Sequence, residues 1–132
     1  MKPYELRVSD LMTTAVITVE ADEPVGEAHA DMELGAIRHL PVLDHGKLVG
    51  IVSDRDLIRI RKRPTRVRDV MSRELVTTRP QSPAHAAASL MLDHRIGSVP
   101  VVDDDGALIG MVTLTDYVEV ARRALLGISL GR

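Results

Sequence analysis

The sequence contains no cysteine, no phenylalanine and no tryptophan. Without thiols there is no disulfide framework, thiolate nucleophile, iron–sulfur cluster or zinc ribbon. Tyr4 and Tyr117 are the only aromatic residues of the Phe, Trp and Tyr kind. They are too few for the stacking platforms on which RNA-reading sheets and OB-folds hold bases. A flat ligand must therefore be gripped by aliphatic side chains. No apolar run approaches the roughly 18 residues of a membrane span. Met1-Lys2-Pro3-Tyr4-Glu5-Leu6-Arg7 has no apolar leader core, which predicts a cytoplasmic protein without membrane contact. Net charge is only −2, so bulk electrostatics favours neither nucleic acid nor anionic lipid. No Gly-x-Ser-x-Gly or P-loop sequence occurs, and the chain is read as a non-enzyme. His29, His39, His45, His85 and His94 are scattered without ligand spacing, so no metal is expected.

What is present is a soluble globular composition, 45% apolar and 27% charged over 132 residues. That length fits one ordinary domain or two small units sharing a core. The chain is internally duplicated. At an offset of 59, Val8, Asp10 and Met12 meet Val67, Asp69 and Met71, and Thr18, Pro24, Ala28 and Met32 meet Thr77, Pro83, Ala87 and Met91. Ile37, Pro41, Val42 and Asp44 meet Ile96, Pro100, Val101 and Asp103. One extra residue in Asp103-Asp104-Asp105 moves the offset to 60, and Gly46, Leu48, Gly50, Val52 and Asp56 then meet Gly106, Leu108, Gly110, Val112 and Asp116.

Each copy reads as β-α-β-β-α. The β-branched runs Val16–Val19 and Leu75–Thr78 predict strands. Asp22-Glu-Pro24 and Ser82-Pro83 place a capping residue and a proline at a helix start, followed by apolar residues at helical spacing. Leu40–Leu43 and Val99–Val102 predict strands that return through Asp-x-Gly turns as hairpins. A last helix begins near Asp56 or Asp116. Ser53-x-x-Asp56 and Thr113-x-x-Asp116 have capping-box spacing, a purely structural explanation of those four residues.

The duplicated signatures resemble a pair of CBS motifs. They are Val8-Ser-Asp-Leu-Met-Thr13, His39-Leu-Pro-Val-Leu-Asp44 and Gly50-Ile-Val-Ser-Asp-Arg-Asp56 in the first copy. Val67-Arg-Asp-Val-Met-Ser72, Ser98-Val-Pro-Val-Val-Asp103 and Gly110-Met-Val-Thr-Leu-Thr-Asp116 follow in the second. The resemblance implies an α/β fold of the mixed α+β kind, two motifs packed with pseudo-two-fold symmetry. The first motif spans 8–60, a basic linker 61–66, the second motif 67–123, and a helix end and tail 124–132.

It also implies adenine-nucleotide sites, with AMP, ADP or ATP as ligand, S-adenosylmethionine or NAD as alternatives, and no required cofactor. One site would combine Met111, Thr113 and Asp116 with Thr13, Val16, Ile17, Thr18, Ile37 and Arg38. The other would combine Ile51, Ser53 and Asp56 with Ser72, Leu75, Val76, Thr77, Ile96 and His39. The carboxylate suits the ribose hydroxyls, the hydroxyl and helix start suit phosphate, and Gly50 and Gly110 are expected to open the backbone to ligand. The backbone edges at Ile17 and Val76 would have to face the cleft. Arg38, then His39, is the expected phosphate partner, and the Arg38 site is expected to prefer anionic ligands.

Output is expected through an effector protein or a homodimer of pairs. The competing readings are a scaffold with vestigial clefts, its apolar Ala124–Leu130 segment docking on another chain, and a weak nucleic-acid binder. The last would use Arg55, Arg59, Arg61, Lys62, Arg63, Arg66 and Arg68; pairing of this basic linker with the acidic surface is the simpler account.

Overall fold

A computed structural model describes residues 1–58 and 65–130. In chain order it contains α1 (Val8–Leu11), β1 (Val19–Glu20), α2 (Val25–Gly35), β2 (His39–Asp44), β3 (Lys47–Ser53), α3 (Asp54–Ile58), α4 (Ala84–His94), β4 (Ser98–Val102), β5 (Leu108–Thr113) and α5 (Leu114–Leu125). Short 3-10 turns occupy Pro3–Glu5 and Val67–Asp69. The chain forms two units. One is Ile17–Leu75; the other joins Met1–Val16 to Val76–Arg132. The division therefore does not follow the repeat. Residues 8–16 of the first copy fold with the second, and the equivalent residues 67–75 fold with the first.

In the continuous unit, β1 runs parallel to β2 and β2 antiparallel to β3. The β2–β3 turn is His45-Gly46, both residues at positive φ, the geometry that matches the twist of a hairpin. Val49 is an extra residue between the Leu43–Leu48 and Val42–Gly50 pairs, a bulge that bends the ribbon. Ala28 and Met32 of α2 bury against Val19, Leu40, Val42 and Val52. In the discontinuous unit, β4 and β5 form the same hairpin with the same bulge, at Ile109. Its longer turn is organised by Asp103, whose Oδ1 accepts N–H bonds from Asp105 and Ala107, both 2.9 Å. Here Ala87 and Met91 of α4 pack on Val8, Val99, Val101 and Val112.

Two expectations need correction. The predicted strand Val16–Val19 is β1, shifted to Val19–Glu20, and of Leu75–Thr78 only Thr78 bridges to Val101. Proline is the reason. Thr78 donates to the carbonyl of Pro100 at 3.0 Å and accepts from Val102 at 2.9 Å. The next bond of a parallel ladder would run from Pro100 N–H to the carbonyl of Val76, and proline has no N–H. Pro41 stops β1 short of Ile17 in the same way.

The second correction concerns the helix starts. Neither Asp22 nor Ser82 caps a helix; Pro24 and Pro83 flank α2 and α4 without a side-chain cap. The orphan N–H groups go to other backbone segments instead, Val25 to the carbonyl of Thr65 at 2.9 Å and Ala84 to that of Leu6 at 2.8 Å. Leu6 and Thr65 are 59 residues apart in sequence, so the two exchanged segments dock alike. Asp22 turns its carboxylate to the Arg68 guanidinium, at 2.9 and 2.6 Å, and the Arg66 guanidinium donates to the Asp22 carbonyl. Arg66 and Arg68 of the basic cluster are thus engaged, while Arg59, Arg61, Lys62 and Arg63 lie outside the described residues. No helix among the described residues is long and apolar enough to cross a membrane.

Candidate functional site

At the end of β3 the chain turns into α3, and at the end of β5 into α5. Both turns are built as capping boxes. Ser53 N–H donates to Asp56 Oδ2 at 2.8 Å, and Asp56 N–H donates to Ser53 Oγ at 3.1 Å. Thr113 N–H donates to Asp116 Oδ2, again at 2.8 Å, and the Thr113 hydroxyl donates to the same oxygen at 3.3 Å. Each aspartate is half-buried and held by one oxygen. The other oxygen, Oδ1, has no hydrogen bond among the described residues. The copies differ in one respect. Ser53 Oγ accepts a bond and donates none among the described residues, whereas the Thr113 hydroxyl donates to Asp116.

Gly50 and Gly110 serve a purpose other than the one expected. A Cβ on Gly50 would lie 2.5 Å from the Ser72 carbonyl oxygen and 2.9 Å from Met71 Sδ. One on Gly110 would lie 3.0 Å from both the Thr13 carbonyl oxygen and Met12 Sδ. The space is taken by the protein's own exchanged segment. That approach allows Ile51 and Ser72 to trade both backbone bonds, at 3.0 and 2.8 Å, and Thr13 and Met111 to trade theirs, at 2.9 Å each. Next to these bridges the chain leaves its backbone open: Ile17 and Val76 make no backbone–backbone hydrogen bond among the described residues.

The basic pair Arg38-His39, where β2 begins, sits close to the first capping box. The Arg38 carbonyl accepts the Asp54 N–H at 3.0 Å, as Gly97 accepts that of Leu114, and His39 is paired with Ser53 across β2 and β3. Burial lowers the pKa of half-buried His39, with Arg38 adding to this and the carboxylates of Asp54 and Asp56 opposing it. Arg38 itself is exposed. At the position matching His39, the second copy has Ser98, which is buried.

The structure distributes the expected residues as follows. The discontinuous unit holds Asp116, Thr113, Met111, Thr13 and Val16 of one expected set, with Val76, Thr77 and Ile96 of the other. The continuous unit holds Asp56, Ser53, Ile51, Ser72, Leu75 and His39, with Ile17, Thr18, Ile37 and Arg38. Asp116 also borders a hollow of about 180 Å³ that it shares with Leu6, Leu11, Val120 and Arg123. None of the other residues expected beside Asp116 lines that hollow. Sequence reasoning passed over Tyr117, whose hydroxyl donates to the Ala84 carbonyl at 2.6 Å. Burial and the neighbouring Asp116 push its pKa up to about 12, which keeps that donor protonated. The only signal for it was that Tyr117 replaces the Leu57 of the first copy. Among the described residues, no group of three or more His, Asp or Glu is placed to hold a metal ion.

The CBS domain family matches residues 8–63 and 67–123. Inosine-5'-monophosphate dehydrogenase of Methanocaldococcus jannaschii is 38% identical over 114 residues, covering 86% of this chain but 23% of that enzyme. The chain thus spans about a quarter of that relative. Among solved structures, the CBS domain pair of protein MJ0100, in complex with 5'-methylthioadenosine and S-adenosyl-L-methionine, superimposes with a TM-score of 0.84 at 30% identity. It covers 90% of this chain and 98% of that one. CBSX2 in complex with AMP gives 0.81 at 29%, covering 90% and 98%.

Proposed function

This chain belongs to the CBS domain family as a tandem pair, and on that premise we propose that it is a non-catalytic regulatory module that binds adenine nucleotides. The observation that carries the reading is the duplicated carboxylate. Asp56 and Asp116 are each fixed by a 2.8 Å bond to one oxygen and leave the other unengaged among the described residues. A rigid, half-buried acceptor of that kind suits the vicinal hydroxyls of a ribose. Ile17 and Val76 supply, in backbone N–H and C=O, the donor and acceptor that an adenine edge requires, and their apolar side chains suit its faces. Arg38 and His39 are the cationic partners for phosphate, and His39 is paired with Ser53 across β2 and β3. The complexes of MJ0100 and CBSX2 with adenosine-bearing ligands support the same class of ligand.

Signal output, in this reading, comes from a ligand-dependent population shift passed to an effector protein or to a second copy. Leu114, Val118 and Leu125 lie exposed on α5 at 52%, 65% and 87%, an apolar stripe suited to a homodimer. Sedimentation should show a dimer that Val118→Glu dissociates; a wild-type monomer at all concentrations would remove this part.

The test of the ligand reading is isothermal calorimetry with AMP, ATP, NAD and S-adenosylmethionine on wild type, Asp56→Ala and Asp116→Ala. Each substitution should abolish one site or weaken it about tenfold or more, as expected for charge-assisted hydrogen bonds of about 1.5–3 kcal/mol. Unchanged binding in both variants refutes the ribose role. The second reading, a scaffold without ligand, is favoured if none of the four compounds gives heat or thermal stabilisation.

A further inference from the structure

The segment that follows α5 turns back onto the discontinuous unit. Leu126 and Gly127 N–H donate to the carbonyls of Arg122 and Ala124, at 3.0 and 3.1 Å, and Ile128 N–H reaches the Arg123 carbonyl at 2.9 Å. Gly127 stands at φ 72°, so these bonds close the helix with the left-handed turn that reverses a chain. Past the turn, the Arg123 guanidinium donates to the Ser129 carbonyl at 3.0 Å. Leu130 then buries in a cluster with Leu6 and Ala84. It is also a wall of the hollow that Asp116 borders, whose other aliphatic walls are Leu6, Leu11 and Val120. All these residues belong to the one unit.

The anchorage is slight. Every residue from Ala124 to Ser129 is exposed, so past the turn one leucine side chain and one guanidinium–carbonyl bond hold the segment down. Burial of a single leucine gives a free energy of the same order as the entropy of ordering a few residues. The segment therefore stands at the low-stability end of its unit, where local opening precedes global unfolding. Leu6 does not leave with it, because its carbonyl accepts the Ala84 N–H at 2.8 Å. The floor of the hollow survives the opening.

We propose that residues 126–130 form a releasable strap. Closed, Leu130 shuts one side of the Asp116 hollow; open, the hollow admits the 5' portion of an adenosine compound whose ribose is held by Asp116. Strap and ligand thus compete for one apolar surface. The competition rests on the ribose role of Asp116, whereas the opening of the strap does not. A ligand that binds only the open form is weakened in proportion to the fraction open, so loosening the strap tightens binding.

The experiment is calorimetry on the full chain with 5'-methylthioadenosine, a probe without phosphate, for wild type, Leu130→Ser and Gly127→Val, each with and without Asp116→Ala. A Cβ at Gly127 meets open space. Gly127→Val therefore acts on the turn through its positive φ and leaves Leu130 in the chain. We expect each variant to bind about tenfold more tightly than wild type, and Asp116→Ala to erase the gain. Hydrogen exchange on wild type should show the Ile128 amide exchanging about tenfold or more faster than amides in the middle of α5, and faster again at saturating probe. Unchanged affinity in both variants, or a gain in Leu130→Ser alone, overturns the competition. An Ile128 amide as protected as central α5 overturns the strap itself, a result that needs no variant to fold. If no form of the protein binds the probe, the ribose role of Asp116 falls and the competition with it, while exchange at Ile128 still decides the strap.

Discussion

Replacing Gly50 by alanine tests the account of the exchanged segment directly. The new methyl would sit 2.5 Å from the Ser72 carbonyl oxygen and 2.9 Å from Met71 Sδ, far inside contact distance. Backbone oxygen cannot swing aside as a side chain does, so the Ile51–Ser72 bridge must open. Two backbone bonds of 3.0 and 2.8 Å are then lost, at about 1 kcal/mol net each. Met71, only 8% exposed, must also move within the core, and overpacking of that kind costs about 1–3 kcal/mol. Alanine returns about 0.4–1 kcal/mol by restricting the unfolded chain. The expected net loss is about 2–4 kcal/mol.

Gly110→Ala is the internal control. Its methyl meets Thr13 oxygen and Met12 Sδ at 3.0 Å, a contact relieved by a shift of a few tenths of an ångström and a rotation of Met12. About 1 kcal/mol or less is expected. Urea denaturation of both variants reads the difference. If Gly50→Ala is as stable as wild type, or if Gly110→Ala is the costlier change, the assignment of these glycines to close backbone approach is wrong.

Other outcomes can be checked with the same assays. Ala36 ends α2 and Arg95 ends α4, both in the left-handed region at φ 52° and 55°, where a side chain is strained and glycine is not. Ala36→Gly should therefore raise stability by about 0.5–1 kcal/mol; a Tm below wild type would contradict the strain. His39 has its pKa lowered mainly by burial, so the folded state resists its protonation. The stability it contributes is present above the unfolded value of about 6.5 and falls as pH drops through the lower folded value. His39→Gln should flatten that acid-side loss, and a profile that superimposes on wild type below about pH 6.5 would exclude the effect.

Much of this fold is legible in the residues. The offset of 59 revealed two copies, apolar spacing located α2 and α4, and Asp-x-Gly turns located both hairpins. The capping-box spacing at Ser53 and Thr113 was visible too, and its bonds are the ones found. Three features were hidden for physical reasons. Similarity along a chain reports that Met12 and Met71 are equivalent, but not which strand each one's segment will lie against. Pro41 and Pro100 sit inside the apolar runs Leu40–Leu43 and Val99–Val102, which read as strands and are strands. Only the ladder geometry shows that their missing N–H groups shorten the pairing partner. Asp22 looked like a cap because of its distance from Pro24, yet a guanidinium 46 residues away and a carbonyl at Thr65 satisfied the two groups separately. At the candidate site, residue identity pointed to Asp56 and Asp116, whereas the true neighbours of Gly50 and Gly110 depended on long-range packing.

The exchange of segments has a consequence for biosynthesis. All residues of the 17–75 unit have left the ribosome once residue 75 is clear of the exit tunnel, before most of the other unit is made. Residues 1–16 emerge ahead of that unit and wait behind it, since the hairpin and helix they complete are made afterwards. For that interval Leu6 and Val8 lack the apolar surroundings in which they finish, and theirs is the stretch a chaperone would meet.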